Sequence, residues 1–500
     1  MPQVRWFPSP VVSWLGAIIA LATGAVWGFC FARVPLLIVP WLALAPLILL
    51  LRARHAGWLG FLFGCASWSV SIPWIVPTLE TYGSIAPWLA WPLFALLVAY
   101  LGSYTGVFAW LGAKVLRLPT PLAFVALPAL WTALEWSRGH LVTGFPWNLA
   151  AYAAIRAPGA LPLAGWIGPY GVTFVLLLVA CGIAFAISER KCSWAAIATL
   201  VPLLLLALAG RFAAPDEPAN RLAQRPVRIV QPDIPVRTSW SPSLFQIDYQ
   251  RLLRLSREAC DARGALVIWP ESAAWPYSWR QDPLFRRDVM GLTGRDCDVL
   301  LNSDREHGGK IYNAALLIGS EGMVAEYDKR HLVPFGEYVP LRRVLPFVGT
   351  LARNAGNFAA ADRIKLISWG NEKIGVAICY EIVFPAEVAS LVRHGATVLV
   401  TMTNDAWYGD TFAPWQHFRA ARFRAAENAR PVLRAAITGV SGWIAADGSV
   451  VSSLGVGQLG ILAGRLSGRT DETLYTRAPW LIPAISILLS LSAILATRRR

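Results

Sequence analysis

Residues 373–381, Lys373-Ile-Gly-Val-Ala-Ile-Cys-Tyr-Glu381 or KIGVAICYE, read as a buried strand that ends in a thiol. Most buried cysteines serve as small hydrophobes, so Cys379 is by itself either strand filler or a sulfur placed to attack. The surrounding sequence repeats the strand pattern. VRIVQP (227–232), GALVIWPE (264–271), DVLLNS (298–303), YNAALLIGS (312–320) and ATVLVTMTN (396–404) read as further strands. SLFQIDYQRLLRLSREACDA (243–262) and PWQHFRAARFRAAENA (414–429) read as amphipathic helices. Late strands in PVLRAAITGVSGWIAADGSVV turn at Asp447-Gly448, a hairpin signal. Strands interleaved with helices imply sheets covered by helices, a layered α/β or α+β domain. Several strands end in charged or nucleophilic residues, Glu271, Cys379 and Asn404. Ligand-binding groups collect at such carboxyl ends, so these three endings could converge.

Outside this region the composition changes. The chain has 500 residues, 56% of them hydrophobic, with 24 tryptophans. That is too apolar for an ordinary soluble protein of this length and points to membrane spans. Apolar runs of bilayer length fall near 11–32, 35–51, 57–78, 87–113, 119–136, 160–187 and 194–211, and an eighth occupies 479–497. The organisation expected is a seven-helix bundle over 1–211, a Pro-rich linker over 212–226, a globular domain over 227–470 and a closing helix. Arg5, Arg52, Arg54, Lys114, Arg117, Arg190, Lys191 and Arg498 to Arg500 fall in alternate connections, whereas the opposite ones hold only Arg33, Arg138 and Arg156. The positive-inside rule then makes both termini cytoplasmic and turns the globular domain outward. The first span lacks a small-residue cleavage site and reads as retained.

The net charge of +15 invites a nucleic-acid reading, but no zinc-ligand spacing, RNA-binding signature or basic tail accompanies it. A basic outer domain beside a bilayer suits anionic lipid head groups better. The seven cysteines, at 30, 65, 181, 192, 260, 297 and 379, form no CxxC and indicate neither a disulfide framework nor a metal site. Cys260 and Cys297 could pair in an oxidising compartment, which leaves Cys379 as the odd thiol of the outer domain.

Three motifs now stand in order: WPES with Glu271, YDKRHLVPFGEYVP with Lys329 and Glu337, and ICYEIVFP with Cys379. They resemble the Glu-Lys-Cys signature of the nitrilase superfamily, and the flanking spans resemble its membrane branch, the apolipoprotein N-acyltransferases. The resemblance runs essentially the full length. It implies an eight-span bundle plus a nitrilase-like extracytoplasmic α-β-β-α sandwich, in a bacterial inner membrane with the sandwich on the periplasmic side. It also implies a reaction without cofactor or metal. Cys379 takes a fatty acyl chain from a phospholipid as a thioester, then yields it to the N-terminal amine of a diacylated apolipoprotein. No nucleic-acid partner and a monomeric enzyme are expected.

Each motif residue has a job that its chemistry permits. A thiol with an ordinary pKa near 8.5 needs a base to attack at neutral pH, and Glu271 can take and return that proton. Lys329 offers a cation to the tetrahedral oxyanion, and the Tyr380 backbone N–H a second donor. Glu337 and Glu381 resemble the family's supporting acids, which hold the lysine and the nucleophile turn. Trp240, Trp407 and Trp415 sit on expected loops around the sheet ends, where the resemblance places lids that admit lipid; packing or interfacial anchoring is the alternative. His331, two residues from Lys329, offers a competing Cys-His pair but reads as structural, and His417 reads as packing. GFPWNLAAY (144–152), after the intramembrane pair Glu135 and Arg138, reads as tying the bundle to the outer domain. Two other functions stay open at this level: a membrane-tethered hydrolase sharing the same triad, and a non-catalytic transporter or sensor. Few ionisable residues and no evident inverted repeat in the spans argue against the last.

Overall fold

The computed structural model describes residues 10–81, 83, 85–188, 201, 202, 204, 208, 209, 224–236, 241–338 and 357–498. Two compact units emerge, one of residues 1–76, 87–213 and 478–500, the other of 77–86 and 214–477.

The first unit is helical: α1 (Pro10–Phe29), α2 (Val39–Leu42), α3 (Ala45–Leu50), α4 (Ala56–Ser71), α5 (Ile75–Thr81, whose last residues belong to the second unit), α6 (Pro87–Val115), α7 (Thr120–Arg138), α8 (Ala150–Ala153) and α9 (Ala160–Ser188). The C-terminal helix Leu481–Arg498 completes it. Among the described residues, α6, α9 and the C-terminal helix are long and apolar enough to cross a membrane, and α4 with α5, bent by 55° at their break, make a fourth candidate. The span expected at 35–51 is instead two short helices. Pro40 and Pro46 stand in their first turns, where the missing N–H favours starting a new helix over continuing an old one. Most of 194–211 lies outside the described residues. Small residues bring the helices together: a Cβ on Gly64 of α4 would lie 2.8 Å from the Gly102 Cα of α6, so only glycine permits that approach.

Glu135 and Arg138 are both buried on α7. The Glu135 carboxylate accepts from Ala150 N and Thr173 Oγ1, each at 2.8 Å, while Arg138 Nη1 donates to the carbonyls of Phe145 (2.5 Å) and Trp147 (2.9 Å). The pair binds the 144–152 loop to its own helical unit, because buried amide and carbonyl groups in that loop need partners away from water.

Among the described residues the second unit holds twelve strands: β1 (Arg225–Gln231), β2 (Ala265–Ile268), β3 (Cys297–His307), β4 (Lys310–Gly319), β5 (Gly322–Asp328), β6 (Ile367–Trp369), β7 (Glu372–Ile378), β8 (Val398–Thr403), β9 (Val432–Ala436), β10 (Ser441–Ile444), β11 (Val450–Leu454) and β12 (Gly460–Leu466). They form two six-stranded sheets, in the orders β12-β1-β2-β3-β4-β5 and β11-β10-β9-β8-β7-β6. Each sheet has two successive parallel pairings, β1-β2-β3 and β7-β8-β9, flanked by antiparallel ones. Parallel neighbours require crossovers, and four helices supply them: α10 (Pro242–Ala259), α11 (Pro283–Thr293), α12 (Pro385–Arg393) and α13 (Ala413–Asn428). The hairpin expected at Asp447-Gly448 joins β10 to β11.

Strand periodicity builds the layers. Leu266 and Ile268 point into a core shared with Ile374, Val376 and Ile378 of the other sheet, whereas Ala265 and Val267 face Leu252, Leu253 and Val289 of α10 and α11. Helix α13 departs from the amphipathic reading. It is buried nearly all round, polar residues His417, Arg419, Arg424 and Glu427 included, so its polar side chains must find partners inside the protein.

Cys260, just past α10, is disulfide-bonded to Cys297 at the start of β3, across a separation of 37 residues. Closing a loop of that length restricts the unfolded chain by about 3–4 kcal/mol in chain-entropy terms. Cys297→Ser is therefore expected to lower the unfolding midpoint by about 5–10 °C, and reductant should bring the wild type to the same value.

Candidate active site

Four strand ends supply the site, two from each sheet. Past β2, Trp269-Pro270 ends the ladder and Glu271 follows; past β5 comes Lys329; past β7, Cys379 opens a 3-10 turn, Cys379–Val383; past β8 comes Asn404. In its own sheet β5 runs parallel to β2, because two antiparallel steps separate it from β3, so both carboxyl ends lie on one edge.

Glu271, Lys329 and Glu337 form one buried cluster. Lys329 Nζ stands 3.3 Å from Glu271 Oε1 and 2.9 Å from Glu337 Oε1, with its side chain 1% exposed. Asn313 of β4, which the sequence reading did not single out, joins them: its Nδ2 donates to Glu271 Oε1 at 2.9 Å and to Glu337 Oε1 at 2.7 Å. Asn302 Nδ2 donates to the Asn313 carbonyl oxygen at 2.6 Å, which assigns the amide's orientation. The remaining carboxylate oxygens are also held, Glu271 Oε2 by Asn404 N at 3.1 Å and Glu337 Oε2 by Val333 N at 2.8 Å. Burial alone would pull the Lys329 ammonium down, but the charges of Glu271 and Glu337 outweigh it and hold the ammonium above the usual lysine range.

Cys379 is buried, and its φ of 52° lies in the left-handed region that non-glycine residues rarely occupy. Such strain persists where surrounding contacts enforce it. Glu381 supplies several. Its Oε2 accepts from Ile378 N at 2.7 Å and its Oε1 from Arg330 N at 2.7 Å and His331 N at 3.1 Å, and Tyr327 Oη donates to both oxygens. One carboxylate thus ties the turn after Lys329 to the turn that carries Cys379. Burial, then the Glu271 charge, pushes the Cys379 thiol up against the opposing pull of Lys329. That direction favours a protonated resting thiol, on which the charges of Glu271 and Lys329 pull in opposite senses.

The other expected residues are placed differently. His331 Nδ1 meets Glu387 at 2.8 Å, and its ring stacks on Phe384 with centroids 3.7 Å apart, a structural setting. Trp407 lies in the 3-10 turn Asp405–Tyr408 and is 40% exposed. Trp415 is in the first turn of α13 and not on a loop, because the helix starts at Ala413 with Pro414 in its first turn. Trp240 lies outside the described residues. Tyr380 follows Cys379 in the turn, with its ring edge-on to Phe384.

His417 is more than packing. Its ring is fully buried, with Nε2 3.0 Å from the Cys379 carbonyl oxygen and Nδ1 3.1 Å from Asp405 Oδ1. Arg434 Nη2 and Thr403 Oγ1 donate to Asp405 at 2.6 and 2.8 Å. Burial would raise the Asp405 carboxyl, yet the Arg434 guanidinium beside it holds it down to about 2. Polar residues within apolar or helical runs were the sequence signal for Asn313 and His417; their partners, far away in the chain, were not visible.

Comparison with known proteins agrees with this architecture. A family model described as apolipoprotein N-acyltransferase N-terminal domain matches residues 23–182, and one described as carbon-nitrogen hydrolase matches 227–475. The apolipoprotein N-acyltransferase of Geobacter metallireducens is 33% identical, covering 92% of this chain and 91% of its own. That of Methylococcus capsulatus is 32% identical over 97% and 96%. Saccharomyces cerevisiae Nit3, a solved member of the nitrilase superfamily, aligns with 51% of this chain and 93% of its own at 20% identity and a TM-score of 0.37. With about a third of its residues shared with such relatives along nearly its whole length, this chain belongs to the apolipoprotein N-acyltransferase family.

Proposed function

We propose that the protein moves a fatty acyl chain from a membrane phospholipid to the N-terminal α-amino group of an S-diacylglyceryl-cysteine apolipoprotein, through a thioester on Cys379. The supporting observation is the convergence of Glu271, Lys329 and Cys379 at strand ends of the two facing sheets, in a chain of this family. Glu271 takes the thiol proton as sulfur attacks the ester carbonyl carbon. The oxyanion forms beside Lys329 Nζ and the Tyr380 N–H. As it collapses, the bond from carbon to the glycerol oxygen breaks, Glu271 protonates that oxygen, and lysophospholipid leaves. The neutral α-amine, with an ordinary pKa near 8, then attacks the thioester. Glu271 takes its proton and passes it to the departing sulfur, which leaves an amide and a free thiol. A thioester is activated enough that no nucleotide enters the balance. Trp407 and Trp415 flank the substrate entry, and Trp240 is assigned the same access role.

The reading also sets the eight spans in a bacterial inner membrane, with both termini cytoplasmic and the sandwich on the periplasmic side. The alternating basic connections and the disulfide, which needs an oxidising compartment, support this side. The protein acts as a monomer. Incubated with phospholipid alone, the purified protein should gain one acyl mass that hydroxylamine removes. With a diacylated lipopeptide added, triacylated peptide and lysophospholipid should appear in equal amounts. Free fatty acid without acylated peptide would replace this reading with a hydrolase.

A further inference from the structure

The peptide between Cys379 and Tyr380 is held from a side that the acyl-transfer scheme does not use. Its carbonyl oxygen can only accept, so the 3.0 Å contact places a proton on His417 Nε2. The other ring nitrogen sits between Asp405 Oδ1 at 3.1 Å and Arg434 Nη2 at 3.2 Å. Asp405 is already satisfied by Thr403 and Arg434, so a neutral ring can direct its Nδ1 lone pair at the guanidinium. Burial, then the Arg434 charge, lowers the His417 pKa against the pull of Asp405, consistent with that neutral form.

The peptide bond is trans, since the one cis bond among the described residues is Trp275-Pro276. In a trans peptide the carbonyl and the following N–H point in opposite directions. Whatever fixes the Cys379 carbonyl therefore aims the Tyr380 N–H. A hydrogen bond to the carbonyl also polarises the amide and strengthens the N–H as a donor. We infer that His417 is a positioning residue for acyl transfer: by donating to the Cys379 carbonyl, it orients and polarises the Tyr380 N–H that receives the oxyanion. Arg434, itself held by Asp405 that Thr403 anchors, donates to Nδ1 and locks the ring in place. The positive φ of Cys379 makes this restraint necessary, because an unrestrained residue would relax toward negative φ and rotate the N–H away.

The inference rests on Cys379 being the acylated nucleophile, and the test separates the two ideas. The full-length protein, His417→Phe and His417→Gln are compared by rate of acyl transfer and by alkylation of Cys379 with iodoacetamide. Alkylation displaces iodide at a saturated carbon and develops no oxyanion. Phenylalanine fills the site without a donor, whereas glutamine can return an N–H near the Nε2 position. His417→Phe should lower kcat about 100-fold, leave the KM for phospholipid within about 2-fold, and leave the alkylation rate within about 3-fold. His417→Gln should recover most of kcat. Wild-type kcat in His417→Phe, or a parallel fall in alkylation and transfer, would overturn the inference, the second by showing general damage to the site. A wild type that forms no thioester removes the parent reading before any variant is made, and this inference with it.

Discussion

Cys379→Ala is expected to eliminate the hydroxylamine-labile acyl adduct and lower transfer to the uncatalysed background, while the fold survives. The substitution removes one sulfur atom from a buried position, a loss of about 1 kcal/mol at most for so small a cavity. Alanine bears the same positive-φ strain as cysteine, so the backbone term cancels between the two. Glu381, His417 and the other restraints on the turn act on main-chain atoms and stay in place. Chemistry fails completely because no other group at the site can form the thioester. Serine should not rescue it, since a hydroxyl is far less acidic than a thiol and a single carboxylate activates it poorly. Intact mass with phospholipid reads the adduct, and a thermal melt reads the fold. Turnover retained in Cys379→Ala would end the covalent mechanism.

Lys329→Met should damage both activity and stability. Methionine matches the length of the lysine stem but leaves Glu271 and Glu337 facing Asn313 with no cation between them. Removing one member of a buried charged cluster leaves its partners uncompensated and costs about 3–5 kcal/mol. The loss should be much the same between about pH 6 and 8. The ammonium pKa is raised, so its contribution is complete at neutral pH and fades as pH climbs from the ordinary lysine value toward the raised one. Acyl transfer should fall by at least about 10³-fold, because the oxyanion loses its charge partner. Lys329→Met combined with Glu337→Gln should recover much of the stability and none of the activity. Near-native transfer by the single variant would show that the lysine is a structural ion-pair member alone.

Much of this site could be seen in the chain as separate pieces. Glu271 and Cys379 each follow an apolar run whose strand character is local, so their place at strand ends needed no long-range information. The strand before Lys329, β5, was not legible because GMVAEYD mixes polar and apolar residues. Glu337 and Glu381 were legible through the motifs around them. Trp415 belongs to the helix read at 414–429, and its expected place on a lid loop gave way to that reading. His417 was misread because a histidine among aromatic and alanine residues looks like filler until the Cys379 carbonyl is beside it. The break within 35–51 was missed because hydropathy measures apolar length and is insensitive to where prolines restart a helix.

The sequence by itself determined most of the strand and helix alphabet, the apolar helical half and the candidate thiol, acid and ammonium, since each depends on residues a few positions apart. Only the tertiary structure decided which polar groups meet: Asn313 between two carboxylates, Glu381 joining two turns, and His417 on the Cys379 carbonyl. The physical reason is that buried polar atoms must find partners wherever the folded chain brings them. In a sandwich of two sheets, those partners come from strands and helices far apart in the chain.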